Sequence, residues 1–208
     1  MNSRCVIICA SPINDIKHIK DNIRENDYVI CADAGYITAK KAQVNIDLVI
    51  GDFDSLKTVI TDIEIIKLPI EKDDTDTFYA TKYAIEKGFK EILLLGCIGG
   101  RLDHTYANCS ILKYLYDHKV KGTIKDENTE IFYSKEKIFV ENKKGKTLSL
   151  FPFGSENCTV TYSGFKYEVE NYTINSNAPI GISNIITENK SYIDINSGGV
   201  LIMIYDKI

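Results

Sequence analysis

The stretch EILLLGC, residues 91–97, decides the fold. Successive side chains of an extended chain point to opposite faces, and here both faces are apolar, so the segment reads as a strand buried on both sides. Strands of that kind belong to parallel sheets covered by helices. Working outward, residues 4–10, 27–32, 47–50 and 63–70 are similar short apolar runs, while helices are predicted over 16–26, 37–43, 76–87 and 104–118. In the last two the apolar residues recur at three-to-four spacing. The N-terminal half is therefore expected to be α/β, with a mostly parallel sheet and helices on both faces.

After Val120 the pattern changes to short strands at 121–125, 130–134, 137–141, 147–151, 158–162, 191–195 and 198–205. Lys143-Lys144-Gly145, Gly154-Ser155 and Ser197-Gly198-Gly199 punctuate them as turns, the mark of an antiparallel all-β sandwich or small barrel. The expected domains are 1–120 and 126–208. The chain has 208 residues, enough for two modest cores, and 44% of them are hydrophobic, as in ordinary globular proteins. With 25 Lys and Arg against 29 Asp and Glu the net charge is -4, which argues against a nucleic-acid or anionic-membrane surface. The early apolar run at 5–10 is too short for a signal-peptide core, and no run has the length of a membrane span, so the expected compartment is the cytoplasm. The six cysteines form no CxxC pair and mostly lie in apolar runs; they are expected to be buried, reduced thiols.

Four polar clusters follow four consecutive strands: ADAG (32–35), GDFDS (51–55), EKDDTD (71–76) and GGRLDH (99–104). The carboxyl ends of parallel strands share one edge, so clusters distant in sequence converge there. Each alone has a plainer reading. Asp33-Ala34-Gly35 is also a turn in which Gly35 supplies positive φ. Asp73, Asp74 and Asp76 also suit the dipole of a helix start, and Gly99-Gly100 is also a tight strand-to-helix turn with Asp103 as cap. Asp52 and Asp54, one residue apart on a chain end, cannot both cap one segment. Together, so many carboxylates on one edge repel unless cations neutralise them. Hard oxygen donors without a His or Cys cluster favour Mg²⁺, with Mn²⁺ as a substitute, and Mg²⁺ on a few carboxylates bridges to substrate phosphates. A nucleoside triphosphate is the expected substrate. Gly145-Lys146-Thr147 is not the end of a P-loop, because Val140 stands where the first glycine belongs and a strand follows.

These clusters, with SLFP (149–152), GFKY (164–167) and GISN (181–184), resemble the thiamine pyrophosphokinase family over nearly the whole chain. The resemblance implies a homodimer with shared active sites, built from a nucleotide domain and a β-sandwich domain. It implies transfer of pyrophosphate from ATP to the hydroxyl of thiamine, giving thiamine diphosphate and AMP. It assigns Asp52, Asp54 and Asp76 to Mg²⁺, with Asp33 and Asp73 as further candidates. Arg101 would hold phosphate, and Asp103 or His104 would orient a phosphate or accept a proton. Gly35, Ser55, Lys72, Thr75, Gly99 and Gly100 would border the nucleotide. Ser183 and Asn184 would hydrogen-bond the aminopyrimidine, although loop capping explains a Ser-Asn pair equally well. Two departures stand out: the family's usual ADGG is ADAG here, and the chain has no Trp to stack on thiamine. His18 and His118, on predicted helices, read as solvent-facing.

Two rivals use the same residues. A strand followed by Asp-x-Asp also opens an aspartyl-phosphate phosphatase, with Asp52 as nucleophile. The alternative outside enzymology is a module that senses nucleotide or thiamine without turnover.

Overall fold

The computed structural model describes residues 4–53, 63–69, 71 and 73–206. It divides into two compact units, 1–127 and 128–208.

The first unit runs β1 (Arg4–Ile8), α1 (Ile16–Asp21), β2 (Tyr28–Ala32), α2 (Gly35–Lys41), β3 (Leu48–Gly51), β4 (Glu64–Lys67), α3 (Asp76–Glu86), β5 (Glu91–Leu95), α4 (Leu102–Asp117) and β6 (Lys121–Asp126). Its strands lie in the order β6-β5-β1-β2-β3-β4, all parallel. The predicted burial on both faces holds. Val6, Ile8, Val29, Cys31 and Val49 form one core cluster with Ile19 of α1 and with Tyr36 and Ala39 of α2. The alternate residues Ile7, Ile30, Ile50, Ile92 and Leu94 are buried on the other face, which α3 and α4 cover. Each such aliphatic side chain contributes about 2 kcal/mol by leaving water. Right-handed crossovers account for the sidedness: the chain steps outward from β1 to β4, then reverses to reach β5, so the connecting helices change face.

The expected boundary between 120 and 126 is displaced. Residues 121–125 pair in parallel with β5, Lys121 opposite Glu91, and the first unit runs to residue 127. Their half-exposed pattern is that of an outlying strand of the parallel sheet, which sequence periodicity does not distinguish from an antiparallel strand.

The second unit contains β7 (Thr129–Ser134), β8 (Ile138–Glu141), β9 (Thr147–Pro152), β10 (Asn157–Ser163), β11 (Val169–Asn175), β12 (Asn184–Ile185), β13 (Lys190–Ser197) and β14 (Val200–Tyr205). Within it β12-β9-β14-β7 and β11-β10-β13-β8 are two antiparallel layers. Leu148, Leu150, Val200, Ile202 and Ile204 from one meet Val140, Val160, Ile174, Ile193 and Ile195 from the other. That alternation of inward and outward residues is the sandwich pattern expected.

Candidate active site

Chain connectivity places the site. β1 has β2 on one side and β5 on the other, so the loops leaving β1 and β5 diverge toward opposite faces and leave a crevice at the carboxyl edge. A cleft of about 770 Å³ lies there, within the size range of small-molecule sites. The β1 loop lines it with Ser11 and Pro12, β2 with Asp33, and β3 with Asp52. Asp74, Thr75 and Asp76 come from the start of α3, Gly99, Gly100 and Arg101 from the β5 loop, and His104 and Asn108 from α4.

Close backbone approach brings the acids together. A Cβ on Gly51 would lie 3.1 Å from the Cα of Asp33, so glycine lets the end of β3 pass directly beside β2. The N–H of Asp33 donates to the Ile50 carbonyl at 2.8 Å, locking the two ends in register. Asp33 itself takes the left-handed backbone conformation, φ 47°, which Asp tolerates better than most residues. The expectation that Gly35 supplies the positive φ is thus corrected. Gly35 is needed for space: a Cβ there would lie 2.1 Å from the Ile8 carbonyl oxygen.

Two helix N-termini open on the cleft. Thr75 caps α3, its hydroxyl accepting from the Phe78 N–H at 3.2 Å, and Asp76 sits in the first turn. The α4 N-terminus follows the left-handed pair Gly99 (φ 92°) and Gly100 (φ 66°) and has no side-chain cap. The His104 N–H donates to Asp103 Oδ1 at 2.9 Å; the other N–H groups of the first turn and the dipole favour an anion. Arg101 is exposed and held from behind by Asp103, with Nε to Oδ1 at 3.1 Å and Nη2 to Oδ2 at 2.5 Å. Those hydrogen bonds hold the Asp103 carboxyl down to about 2, so it stays anionic near neutrality and is poorly suited to accept a proton. In this structure its carboxylate orients the Arg101 guanidinium. Asp74 pairs with Lys82, which also lies over the Phe78 ring.

Of the sequence-predicted residues, Asp33, Asp52, Thr75, Asp76, Gly99, Gly100, Arg101 and His104 share this one cleft. Gly35 is buried beside β1, Asp73 is exposed just before α3, and Asp103 stands behind Arg101. Asp54, Ser55 and Lys72 lie outside the described residues. Ser183 and Asn184 are in the second unit. Ser183 is exposed with φ 58°, and its N–H donates to Ser149 Oγ at 3.1 Å. Asn184 is buried: its Oδ1 accepts from the N–H groups of Tyr167 (3.0 Å) and Ile185 (2.9 Å), and its Nδ2 donates to the Tyr167 carbonyl at 2.8 Å. The amide thus fastens the loop that carries Tyr167, whose ring is exposed. Sequence reasoning missed Ser11, Pro12 and Asn108, single residues without a motif. His18 is half-buried against Lys125 and Asn22 rather than solvent-facing, whereas His118 is exposed.

All six cysteines are buried and free. Burial pushes the thiols of Cys97 and Cys109 up, and that of Cys158 to about 11, which removes them as nucleophiles.

Comparison with known proteins settles the kinship. The thiamin pyrophosphokinase catalytic domain matches residues 19–124, and the vitamin B1 binding domain of thiamin pyrophosphokinase matches residues 135–200. The chain belongs to the thiamin pyrophosphokinase family. The thiamine pyrophosphokinase of Bacillus subtilis is 28% identical over 210 residues, covering 95% of this chain and 96% of the relative. The crystal structure of thiamine pyrophosphokinase from Bacillus subtilis superposes with a TM-score of 0.90 at 24% identity, over 99% of this chain and 100% of that one. That of thiamin pyrophosphokinase from Geobacillus thermodenitrificans gives 0.84 at 24% identity, over 98% and 97%. These two likenesses bear on the fold. The activity of the chain is that of its family, transfer of a pyrophosphoryl group from ATP to thiamine.

Proposed function

We propose that ATP lies along the carboxyl edge of the parallel sheet, its phosphates between Asp33, Asp52 and Asp76 on one side and Arg101 with the α4 N-terminus on the other. The observation that carries this reading is the convergence on one cleft of Asp52 from the end of β3, Asp76 from the start of α3 and Arg101 from the loop after β5. Among the described residues no three His, Cys, Asp or Glu side chains stand close enough to cage a metal by themselves. Carboxylates spread along a cleft fit Mg²⁺ or Mn²⁺, which would take its remaining ligands from water and phosphate oxygens. Asp52 and Asp76 are its proposed ligands, joined by Asp54, with Asp33 and Asp73 at the margin. When bound, the ion supplies charge neutralisation to the phosphates.

The residues of the chain do the positioning. Arg101, oriented by Asp103, offers its remaining N–H groups to phosphate oxygens, and the open N–H groups at the start of α4 donate to the same oxygens. The hydroxyl oxygen of thiamine, in line with the β-phosphorus, bonds to it as the bond from that phosphorus to the α–β bridging oxygen breaks; AMP leaves with that oxygen and the hydroxyl proton passes to water. Such transfers depend on placement and charge more than on a covalent nucleophile, so Asp52 has no need of the phosphatase role. His104, exposed and lining the cleft, is proposed to orient a phosphate. In the second unit, Ser183 and the loop that Asn184 fastens form the proposed thiamine side, where exposed Tyr167 offers a stacking face in place of the absent Trp. A homodimer with shared sites and a cytoplasmic location complete the proposal. In support, the six cysteines form no disulfide and, among the described residues, no helix is long and apolar enough to cross a membrane.

The test is product analysis with ATP, thiamine and Mg²⁺. AMP equal to thiamine diphosphate, absent when thiamine or the metal is withheld, is expected. Inorganic phosphate without thiamine would identify a phosphatase, and binding without any product a sensing module.

A further inference from the structure

We propose that Asn108 is a positioning residue for the transfer: its amide fixes the glycine turn that presents Arg101 and the α4 N-terminus to ATP. The inference rests on the reading that ATP occupies this edge.

Asn108 is 6% exposed and borders the cleft from within α4, where its neighbours Cys109, Ile111, Leu112 and Leu115 are buried and apolar. An amide in such a place costs free energy unless it is hydrogen-bonded. Its Nδ2 donates to the Cys97 carbonyl at 2.9 Å. That carbonyl lies where the sheet ladder has ended. The two carbonyls before it are taken by the β1 loop, Leu95 by the Cys9 N–H at 2.8 Å and Gly96 by the Ser11 N–H at 3.0 Å. Asn108 takes the third, and so sets the point from which the chain leaves the sheet.

The segment that follows needs such an anchor. Gly99 and Gly100 are both left-handed, and glycine has the widest backbone freedom of any residue. No atom lies within 4 Å of a Cβ built on Gly99, while one on Gly100 would meet Pro12 at 3.3 Å. Side-chain packing therefore does little to select the conformation of the turn. Its downstream end is fixed by α4, and its upstream end by the bond from Asn108 to Cys97. Loss of that bond frees the piece of backbone that carries the phosphate donors, while the core strands keep their own packing.

Steady-state kinetics of Asn108→Ala, Asn108→Asp and Asn108→Gln test this. Ala and Asp, which lack the donor, are expected to raise the KM for ATP about tenfold, equivalent to ~1.4 kcal/mol. The KM for thiamine should stay within about twofold. Gln keeps an amide donor and should recover part of the loss. Amide hydrogen exchange should quicken at residues 97–101 and remain slow in the strands of the second unit. If Asn108→Ala does not fold, Gly99→Ala disturbs the same turn, because its φ of 92° disfavours a side chain although space for one is open; it should raise the ATP KM likewise. An active wild type with an unmoved ATP KM in these variants overturns the role of Asn108. So does an equal rise for both substrates with exchange quickened throughout, the mark of a structural role alone. A wild type that releases no AMP overturns the ATP reading itself.

Discussion

Residue by residue, the ionisable groups divide into those that serve the cleft and those that hold the fold, and Asp27 shows the second kind. Its carboxylate takes Arg4 Nε at 2.8 Å and the Arg24 N–H at 2.7 Å, and pairs again with Arg4 Nη2. Burial by itself would raise its pKa, but these bonds outweigh burial and the pKa is lowered. A carboxyl with a depressed folded-state pKa stabilises the fold above its unfolded value, about 3.9, and that stability is lost as pH falls through the folded value. Asp27→Asn should therefore flatten the loss of stability below about pH 4. At neutral pH the same change leaves Arg4 short of its partner with a side chain only 7% exposed, at a cost of about 3 kcal/mol. Urea unfolding at pH 7 and across the acid range reads both effects. An acid limb as steep as that of the wild type would remove Asp27 as its source.

Elements were legible in the sequence wherever burial imposed a pattern. EILLLGC gave its strand and the parallel sheet because both its faces are covered, and the α3 and α4 stripes fell within a residue or two of the observed helices. β11 was missed because most of Val169–Asn175 faces solvent, leaving no alternation to detect. β12 is two residues long and carries no periodicity. The start of α2 shows a subtler limit. Gly35 was visible, but its reason was not, since a steric contact with Ile8 is made across sequence-distant chains. Gly35→Ala places a Cβ 2.1 Å from the Ile8 carbonyl oxygen and 2.7 Å from its carbon, both backbone atoms of a strand buried along its length. The helix must lift, an overpacking cost of about 1–3 kcal/mol. A lowered urea midpoint with an unchanged slope is expected. A midpoint equal to that of the wild type would show that α2 accommodates the methyl without strain.

At the scale of the whole molecule, the acidic edge was legible because parallel topology gathers strand ends, whereas Ser11 and Asn108 were not, since a lone polar residue in a loop or helix has no signature until the fold brings it to the cleft. The thiamine side was readable only through kinship, and Asn184 turns out to act on the backbone of Tyr167. This sharpens the proposal of shared sites. If the parallel-sheet edge of one copy works with the sandwich of another, Asp52 and Asn184 serving one site come from different chains. Asp52→Ala removes a proposed metal ligand, and Asn184→Ala frees the Tyr167 loop, so each homodimer should be nearly inactive. Mixed equally and allowed to exchange, half of the dimers become heterodimers, each with one site carrying both defects and one carrying neither. About a quarter of wild-type activity should return, the fraction of intact sites in a randomly paired two-fold dimer. Sites built within single chains would regain nothing on mixing, because every chain carries a defect of its own. Mass spectrometry of the intact complex establishes exchange independently of turnover, so heterodimers that form yet remain inactive would refute the shared site while leaving the acidic edge and its chemistry in place.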